Sequence, residues 1–273
     1  MNINIRGNLY DLSSPKIMGI LNVTPDSFYD GGKFKNLKEI LKHVEKMIYD
    51  GMDILDIGGY SSRPGAQDIT TEDELERVIP VIKELKKTFP SLIISVDTFR
   101  SSVAKKSLDL GIDIINDISA GILDSEMFDV IADYQCPYII MHMQGSPQNM
   151  QNNPNYKNPT KEIISFLAKR IKSAREKKII DLIIDPGFGF GKSISHNFEL
   201  LSNLEYFSML DLPILAGFSR KSMIYKTLKI KKEEALNGTS VLNTIALLKG
   251  IKILRVHDLK EAKECVLLYN LIK

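Results

Sequence analysis

A single-domain α/β architecture, the (β/α)8 TIM barrel, is expected from three features of the 273-residue chain. Eight short runs rich in Ile, Leu and Val are almost continuously apolar, as strands buried on both faces must be. Eight longer amphipathic stretches alternate with them, and strict β-α alternation predicts a parallel sheet. About 250 residues for eight such units is the usual size of the barrel, and no Gly/Ser linker or composition break divides the chain. A doubly wound open sheet is the alternative arrangement of the same elements.

The first strand is expected at 16–22, followed by a helix at 37–50 whose stripe is Leu37, Ile40, Leu41, Val44, Met47 and Ile48. A strand at 54–58 leads to a helix at 71–87, where Thr71 and Glu74 form a capping-box pattern ahead of Leu75, Val78, Ile79, Ile82 and Leu85. Strands at 92–98, 114–116, 138–143 and 182–186 are followed by helices at 101–110, 125–133, 160–177 and 196–209. The last units pair a strand at 213–219 with a helix at 232–248, and a strand at 253–257 with a helix at 259–272. Gly51, Gly111 and Gly250 lie where helices should stop. The longest connections, 23–36, 59–70 and 144–159, all follow strands, so a barrel gathers them at its C-terminal mouth, where substrate sites are built.

Composition narrows the function. With 36 Lys+Arg against 34 Asp+Glu, the net charge of +2 gives no global electrostatic case for nucleic acid or an anionic membrane. Cys136 and Cys265 are too far apart in sequence for a metal pair or a disulfide framework, which fits a reducing, cytoplasmic location. The first residues are interrupted by Arg6, Asp11, Pro15 and Lys16, so no signal-peptide core is expected, and no apolar run reaches the length of a spanning helix. The basic run 226–232 reads as a solvated surface.

Polar residues at the ends of buried strands carry the chemistry. Asn22, Asp56, Asp97, Asn116, Asp185, Ser219 with Lys221, and Arg255 with His257 all fall there, where an unpartnered polar group is costly. Asp97, Asn116 and Asp185 suit a flat ligand edge bearing adjacent N–H and NH2 groups, such as a 2-amino-4-oxo pyrimidine ring. Arg63, Lys221, Arg255 and His257 suit a phosphate or diphosphate. Gly187-Phe188-Gly189-Phe190-Gly191-Lys192-Ser193 resembles a phosphate loop but has Pro186 where a Walker A motif requires its first glycine, so a tight turn is the better reading. His43 and His196 fall on or beside helices, and His142, between Met141 and Met143, reads as core. His-Glu-x-x-His and Cys-x-x-Cys spacings are absent, which argues against zinc; a hard cation such as Mg2+ would need oxygen ligands plus phosphate, with Asn22 a candidate ligand.

Met18-Gly19-Ile20-Leu21-Asn22-Val23-Thr24-Pro25-Asp26-Ser27-Phe28 and Asp56-Ile57-Gly58-Gly59-Tyr60-Ser61-Ser62-Arg63-Pro64-Gly65 resemble the two signatures of the dihydropteroate synthase family, the pterin-binding enzymes of folate biosynthesis. Ser95-Val96-Asp97-Thr98, Asn116-Asp117, Met141-His142-Met143-Gln144-Gly145, Asp185-Pro186-Gly187-Phe188-Gly189-Phe190, Ser219-Arg220-Lys221-Ser222 and Arg255-Val256-His257-Asp258 extend the resemblance from about 16 to 266. Tyr60 stands where Glu is common in the family and Ser62 where Thr is common.

The resemblance implies a barrel and a transferase that joins (7,8-dihydropterin-6-yl)methyl diphosphate to 4-aminobenzoate, releasing diphosphate, in a family that is a sulfonamide target. It implies that Asp97, Asn116, Asp185 and Lys221 bind the pterin ring, that Met141 and Phe190 wall it, and that Ser62, Arg63, Arg255 and His257 handle the diphosphate. It puts 4-aminobenzoate near Pro64, Phe188, Lys221 and Ser222, assigns Mg2+ to Asn22, and gives the catalytic work to Asp97, Lys221, Arg255 and His257. It also implies a homodimer, with the helix at 160–177 or the last two helices as the interface. A non-catalytic pterin binder, a corrinoid-dependent methyltransferase domain and a phosphosugar aldolase or isomerase are the competing readings. Against them stand the signature loops of the arylamine site, the Arg255-Val256-His257 segment, and the lack of a Schiff-base lysine within a strand.

Overall fold

A computed structural model describes residues 1–23, 33–61 and 68–272. Its elements are, in chain order, β1 (Asn2–Ile5), β2 (Asn8–Asp11), β3 (Lys16–Asn22), α1 (Lys33–Tyr49), β4 (Ile54–Gly58), α2 (Thr71–Thr88), β5 (Ile93–Asp97), α3 (Ser101–Leu108), β6 (Ile114–Asp117), α4 (Met127–Tyr134), β7 (Tyr138–Met141), α5 (Pro159–Glu176), β8 (Leu182–Asp185), α6 (Ile194–Ser202), β9 (Leu215–Ala216), α7 (Ser222–Leu228), α8 (Leu236–Leu248), β10 (Ile253–Val256) and α9 (Leu259–Leu271).

Strands β3 to β10 form one eight-stranded sheet in the order β8-β7-β6-β5-β4-β3-β10-β9. All its ladders are parallel. A parallel bridge between Ile184 and Ile214 joins the two ends of that order, with the Ile184 N–H donating to the Pro213 carbonyl at 2.9 Å. The sheet is therefore a barrel, as the β-α alternation predicts, and the open doubly wound sheet is excluded.

Alternation along the strands sorts the side chains. Leu55, Ile57, Ile94, Val96, Ile115, Tyr138, Ile140, Leu182, Ile184, Leu254 and Val256 face outward and share one core with the helices. Met18, Ile54, Ile114, Ile139, Ile183, Leu215 and Ile253 face inward near the N-terminal ends of the strands and pack with Ile3, Ile5 and Leu12. The antiparallel β1-β2 hairpin thus plugs the floor of the barrel. Sequence reading missed this hairpin, although Ile3 and Ile5 alternate and Arg6-Gly7 (φ 54° and 78°) is the two-residue turn such hairpins favour.

Other differences are local. The cap of α2 lies one residue upstream of the expected pair: Thr70 Oγ1 accepts from the Asp73 N–H at 3.1 Å, and Asp73 Oδ2 accepts from the Thr70 N–H at 3.0 Å. Glu74 is instead buried and ion-paired with Arg100. The expected helix at 196–209 is α6 followed by a 3-10 segment, Leu204–Leu210, and that at 232–248 is a 3-10 turn, Lys232–Glu234, followed by α8. The strand expected over 213–219 is regular only at Leu215–Ala216, preceded by the single bridge at Ile214, because Pro213 has no N–H for the ladder and Phe218 already turns the chain toward Lys221. Beyond it, α7 occupies a stretch read as connection. Among the described residues, no helix is long and apolar enough to cross a membrane.

Candidate active site

Two residues further along β4, β6, β8 and β10, the interior becomes polar, with Asp56, Asn116, Asp185 and Arg255. A cavity of about 100 Å3 opens there, and its wall contains Asp97, Asn116, Met141, Asp185, Phe190, Lys221, Arg255 and His257, with Ile20, Ile118, Gly217 and Ser219. A larger hollow of about 500 Å3 lies at the floor end, lined by Arg6, Lys86 and Asp113 among others. Its polar groups are engaged with one another: Arg6 donates to both oxygens of Asp113 and to the carbonyls of Pro90 and Leu92. The smaller cavity is where polar groups converge on open space, so it is the candidate site.

Arg255, on β10, organises the centre. Its Nε donates to Asp56 Oδ2 at 2.7 Å and its Nη2 to Asp97 Oδ2 at 2.7 Å. Burial works against the guanidinium charge, but Asp56 and Asp97 outweigh it and raise the Arg255 pKa above its ordinary range. Burial, opposed by Arg255, pushes the Asp97 carboxyl up to about 7. Asn116 Nδ2 donates to Asp56 Oδ2 at 3.1 Å. Asp185 Oδ1 accepts from the Gly187 N–H at 2.7 Å, and burial raises its pKa against the pull of Lys221.

Lys221 stands at the N-terminus of α7, its Nζ donating to the Phe188 carbonyl and lying 5.0 Å from the centre of the Phe190 ring. Burial lowers it to about 8, partly offset by Asp185. The preceding residue fixes this approach. Arg220 sits in the left-handed region (φ 52°), donates its N–H to Thr239 Oγ1, and pairs through Nε and Nη2 with Asp258 at 3.1 and 2.8 Å. His257 completes the rim, its backbone N–H donating to Ser219 Oγ at 3.1 Å.

The glycine-rich loop is a crossing rather than a phosphate cradle. A Cβ on Gly187 (φ +72°) would lie 2.0 Å from the His142 carbonyl oxygen, and one on Gly191 (φ +59°) 2.6 Å from that of Gln144. Its lysine is consumed inside the protein: buried Lys192 donates to the carbonyls of Gly187 (2.8 Å), Phe190 (3.0 Å) and His142 (3.3 Å) and meets His142 Nδ1 at 3.1 Å. Burial, reinforced by Lys192, holds His142 near 2 and so neutral, the core histidine expected from its neighbours. Tyr156 and Gln151 of the third mouth loop bond to the carbonyls of Gly191 and Gly189, so that loop braces the same wall.

Of the other expected site residues, Asn22 ends β3 at the mouth. Phe188 departs from expectation: its ring is fully buried, 4.5 Å from that of Phe218, and only its carbonyl faces Lys221. Ser222 begins α7 behind Lys221 and is not in the cavity wall. Ser62, Arg63 and Pro64 lie outside the described residues. Asp56 was noted as a strand carboxylate but given no role; its signal was a full charge in the middle of an apolar run. Tyr60, one of the two family departures, is buried edge-on against Phe99, and its hydroxyl accepts from Gln148 Nε2 at 2.8 Å.

Asn22 can be tested as a cation ligand. Gly58 lies between Asn22 and Asp97 in the sheet: a Cβ there would be in van der Waals contact with both, 3.7 Å from Asn22 Oδ1 and 3.9 Å from Asp97 Oδ2. Among the described residues no three His, Cys, Asp or Glu side chains cluster as a metal site. One amide oxygen beside a carboxylate fits a hard cation only when the ligand brings further oxygens.

Known proteins resemble this chain in sequence and in fold. The family model described as pterin binding enzyme matches residues 18–257. The dihydropteroate synthase of Escherichia coli (strain K12) is 42% identical over 268 residues, covering 97% of this chain and 94% of that protein. The solved structure of Yersinia pestis dihydropteroate synthase with a sulfonamide drug superposes with a TM-score of 0.92 at 39% identity, covering 100% of this chain and 98% of that one. That of the Xanthomonas albilineans enzyme with 4-aminobenzoic acid gives 0.91 at 37% identity, covering 99% and 97%.

Proposed function

We propose that this chain, which belongs to the pterin-binding enzyme family and within it to the dihydropteroate synthases, transfers a dihydropterin-methyl group from its diphosphate to 4-aminobenzoate in folate biosynthesis. The observation that carries the reading is the convergence in one cavity of Asp97, Asn116 and Asp185 with Lys221 and Arg255. The first three accept from the N–H and NH2 edge of the pterin, and Lys221 donates to its carbonyl or ring nitrogen. Arg255 and His257, with Ser62 and Arg63, bind the diphosphate, while Met141 and Phe190 wall the ring. Pro64, Lys221 and Ser222 border the arylamine.

Breaking the C–O bond sends its electron pair to the diphosphate and leaves positive charge on the pterin methylene. Arg255 and His257 stabilise the departing anion, and the carboxylates of Asp97 and Asp185 stabilise the cationic ring. The amine nitrogen of 4-aminobenzoate then forms the new C–N bond, and its proton passes to water or diphosphate. The substitution is dissociative and needs no protein nucleophile. The apolar floor and the braced third loop exclude water from the cation's lower side. Asn22 would hold Mg2+ together with oxygens that the diphosphate brings, and the ion would supply positive charge against the leaving group.

The chain acts as a homodimer in the cytoplasm. Leu248 on α8 and Leu267, Leu268 and Leu271 on α9 each leave more than half of their surface exposed, an apolar patch that a second copy would cover. Light scattering at micromolar concentration should give twice the 30.8 kDa chain mass. For the activity, diphosphate release should require 4-aminobenzoate and Mg2+ and match dihydropteroate formed one for one. Protein that binds the pterin diphosphate but makes no dihydropteroate would refute the transferase.

A further inference from the structure

Asp56 is fully buried on the inward face of β4, at the level where the barrel changes from apolar to polar. It is absent from the cavity wall and out of a ligand's reach. A buried carboxylate is costly unless paired, and an apolar residue of similar volume would extend the floor without that cost. Among the described residues its bonding runs through one oxygen: Oδ2 accepts from Arg255 Nε and from Asn116 Nδ2, while Oδ1 has no partner there.

Each contact fixes a side chain that does line the cavity. Asn116 has its amide orientation forced, because turning it over would set its oxygen against a carboxylate that cannot donate. Its Oδ1 is therefore the atom presented to a ligand. Arg255 has two carboxylate partners, Asp56 and Asp97. Asp97 lines the cavity and is the one an incoming N–H edge competes for, whereas Asp56 stays bonded throughout. We propose that Asp56 is the positioning residue of this site, holding Arg255 for the leaving diphosphate and Asn116 for the ring. The inference rests on the synthase reading above and adds to it a residue that never touches substrate.

A double-mutant cycle tests it. Dihydropteroate formation is measured for the parent, Asp56→Asn, Arg255→Gln and the double variant, with thermal melts of each. Asp56→Asn keeps the volume and removes the charge, and kcat should fall roughly 30- to 100-fold, the scale of a misplaced catalytic group. Arg255→Gln should cost about 100- to 1,000-fold. With pterin diphosphate saturating, so that the hold on Asn116 is read in KM and not in kcat, the double variant should stay within about threefold of Arg255→Gln in kcat, because the guanidinium through which Asp56 acts on the leaving group is gone. Losses that multiply in the double variant, or Asp56→Asn within twofold of the parent, would overturn the proposal.

If Arg255→Gln does not fold, binding of free 6-hydroxymethyl-7,8-dihydropterin replaces the rate. Asp56→Asn should weaken it about tenfold, the scale of a lost charge-assisted hydrogen bond, and this loss should vanish in an Asn116→Ala background. Persistence of the loss in that background refutes the proposal. A parent protein that binds pterin but forms no dihydropteroate sinks the transferase reading alone, since the titration still reports how Asp56 acts on Asn116.

Discussion

Along β4, β6, β8 and β10 the inward side chain changes within one pleat, from Ile54, Ile114, Ile183 and Ile253 to Asp56, Asn116, Asp185 and Arg255. Below that change the barrel is an oil-filled plug closed by Ile3, Ile5 and Leu12 of the hairpin. Above it, carboxylates and cations lie within hydrogen-bonding distance around the cavity. The two halves share strands and helices, so the fold alone does not distinguish them. What differs is the use of burial. The lower half uses it to stabilise the chain, and the upper half uses it to make fixed charges act strongly on a ligand.

The contrast can be broken at either end. In the upper half, Arg255→Ala should lower kcat about 100- to 1,000-fold, equivalent to roughly 3–4 kcal/mol of transition-state stabilisation. In the lower half, Ile183→Ala should cost about 2–5 kcal/mol of folding stability in a urea titration. Its kcat, measured well below the melting temperature, should stay within about twofold of the parent if the floor takes no part in chemistry. A large loss of kcat in Ile183→Ala at full folding would erase the distinction between the halves.

A smaller effect comes from pH. Asp97 must be ionised to accept from the ring, and burial has raised it to about 7, so kcat/KM should fall about tenfold per unit as pH drops below 7. Lys221 must be charged to donate to the ring and balance Asp185, and burial has lowered it to about 8, so kcat/KM should also fall as pH rises above 8. In Asp97→Asn the acid limb should vanish while the alkaline limb stays. An unchanged acid limb would assign it to another group.

The upper half was more legible in the sequence than the lower. A charge or amide at the end of a two-sided apolar strand stands out, so Asp97, Asn116, Asp185 and Arg255 could be picked residue by residue. The plug could not be picked that way: Ile3 and Ile5 look like any short apolar alternation until a barrel exists for them to fill. Distance in the chain hid the rest. Asp56 and Arg255 are 199 residues apart, and nothing local marks them as partners. The tight turn at the glycine-rich loop was legible from Pro186, but the use of Lys192 was not, because the carbonyl of His142 that helps consume it comes from the neighbouring strand's loop. The capping pair at Thr70 and Asp73 was missed by one residue because Thr71 and Glu74 satisfy the same spacing, and the burial of Glu74 against Arg100 decides between them.

Calorimetric titration of the parent, Asp185→Asn and Arg255→Ala with 6-hydroxymethyl-7,8-dihydropterin and with its diphosphate tests the division of labour in the upper half most directly. Asp185→Asn should weaken both ligands by the same factor, about 10- to 100-fold for a lost buried charge-assisted contact. Arg255→Ala should leave the free pterin within about threefold and abolish the extra affinity that the diphosphate confers. Free-pterin affinity that falls as far in Arg255→Ala as in Asp185→Asn, or stays unchanged in Asp185→Asn, would contradict a basin that holds the ring with carboxylates and its inorganic tail with cations.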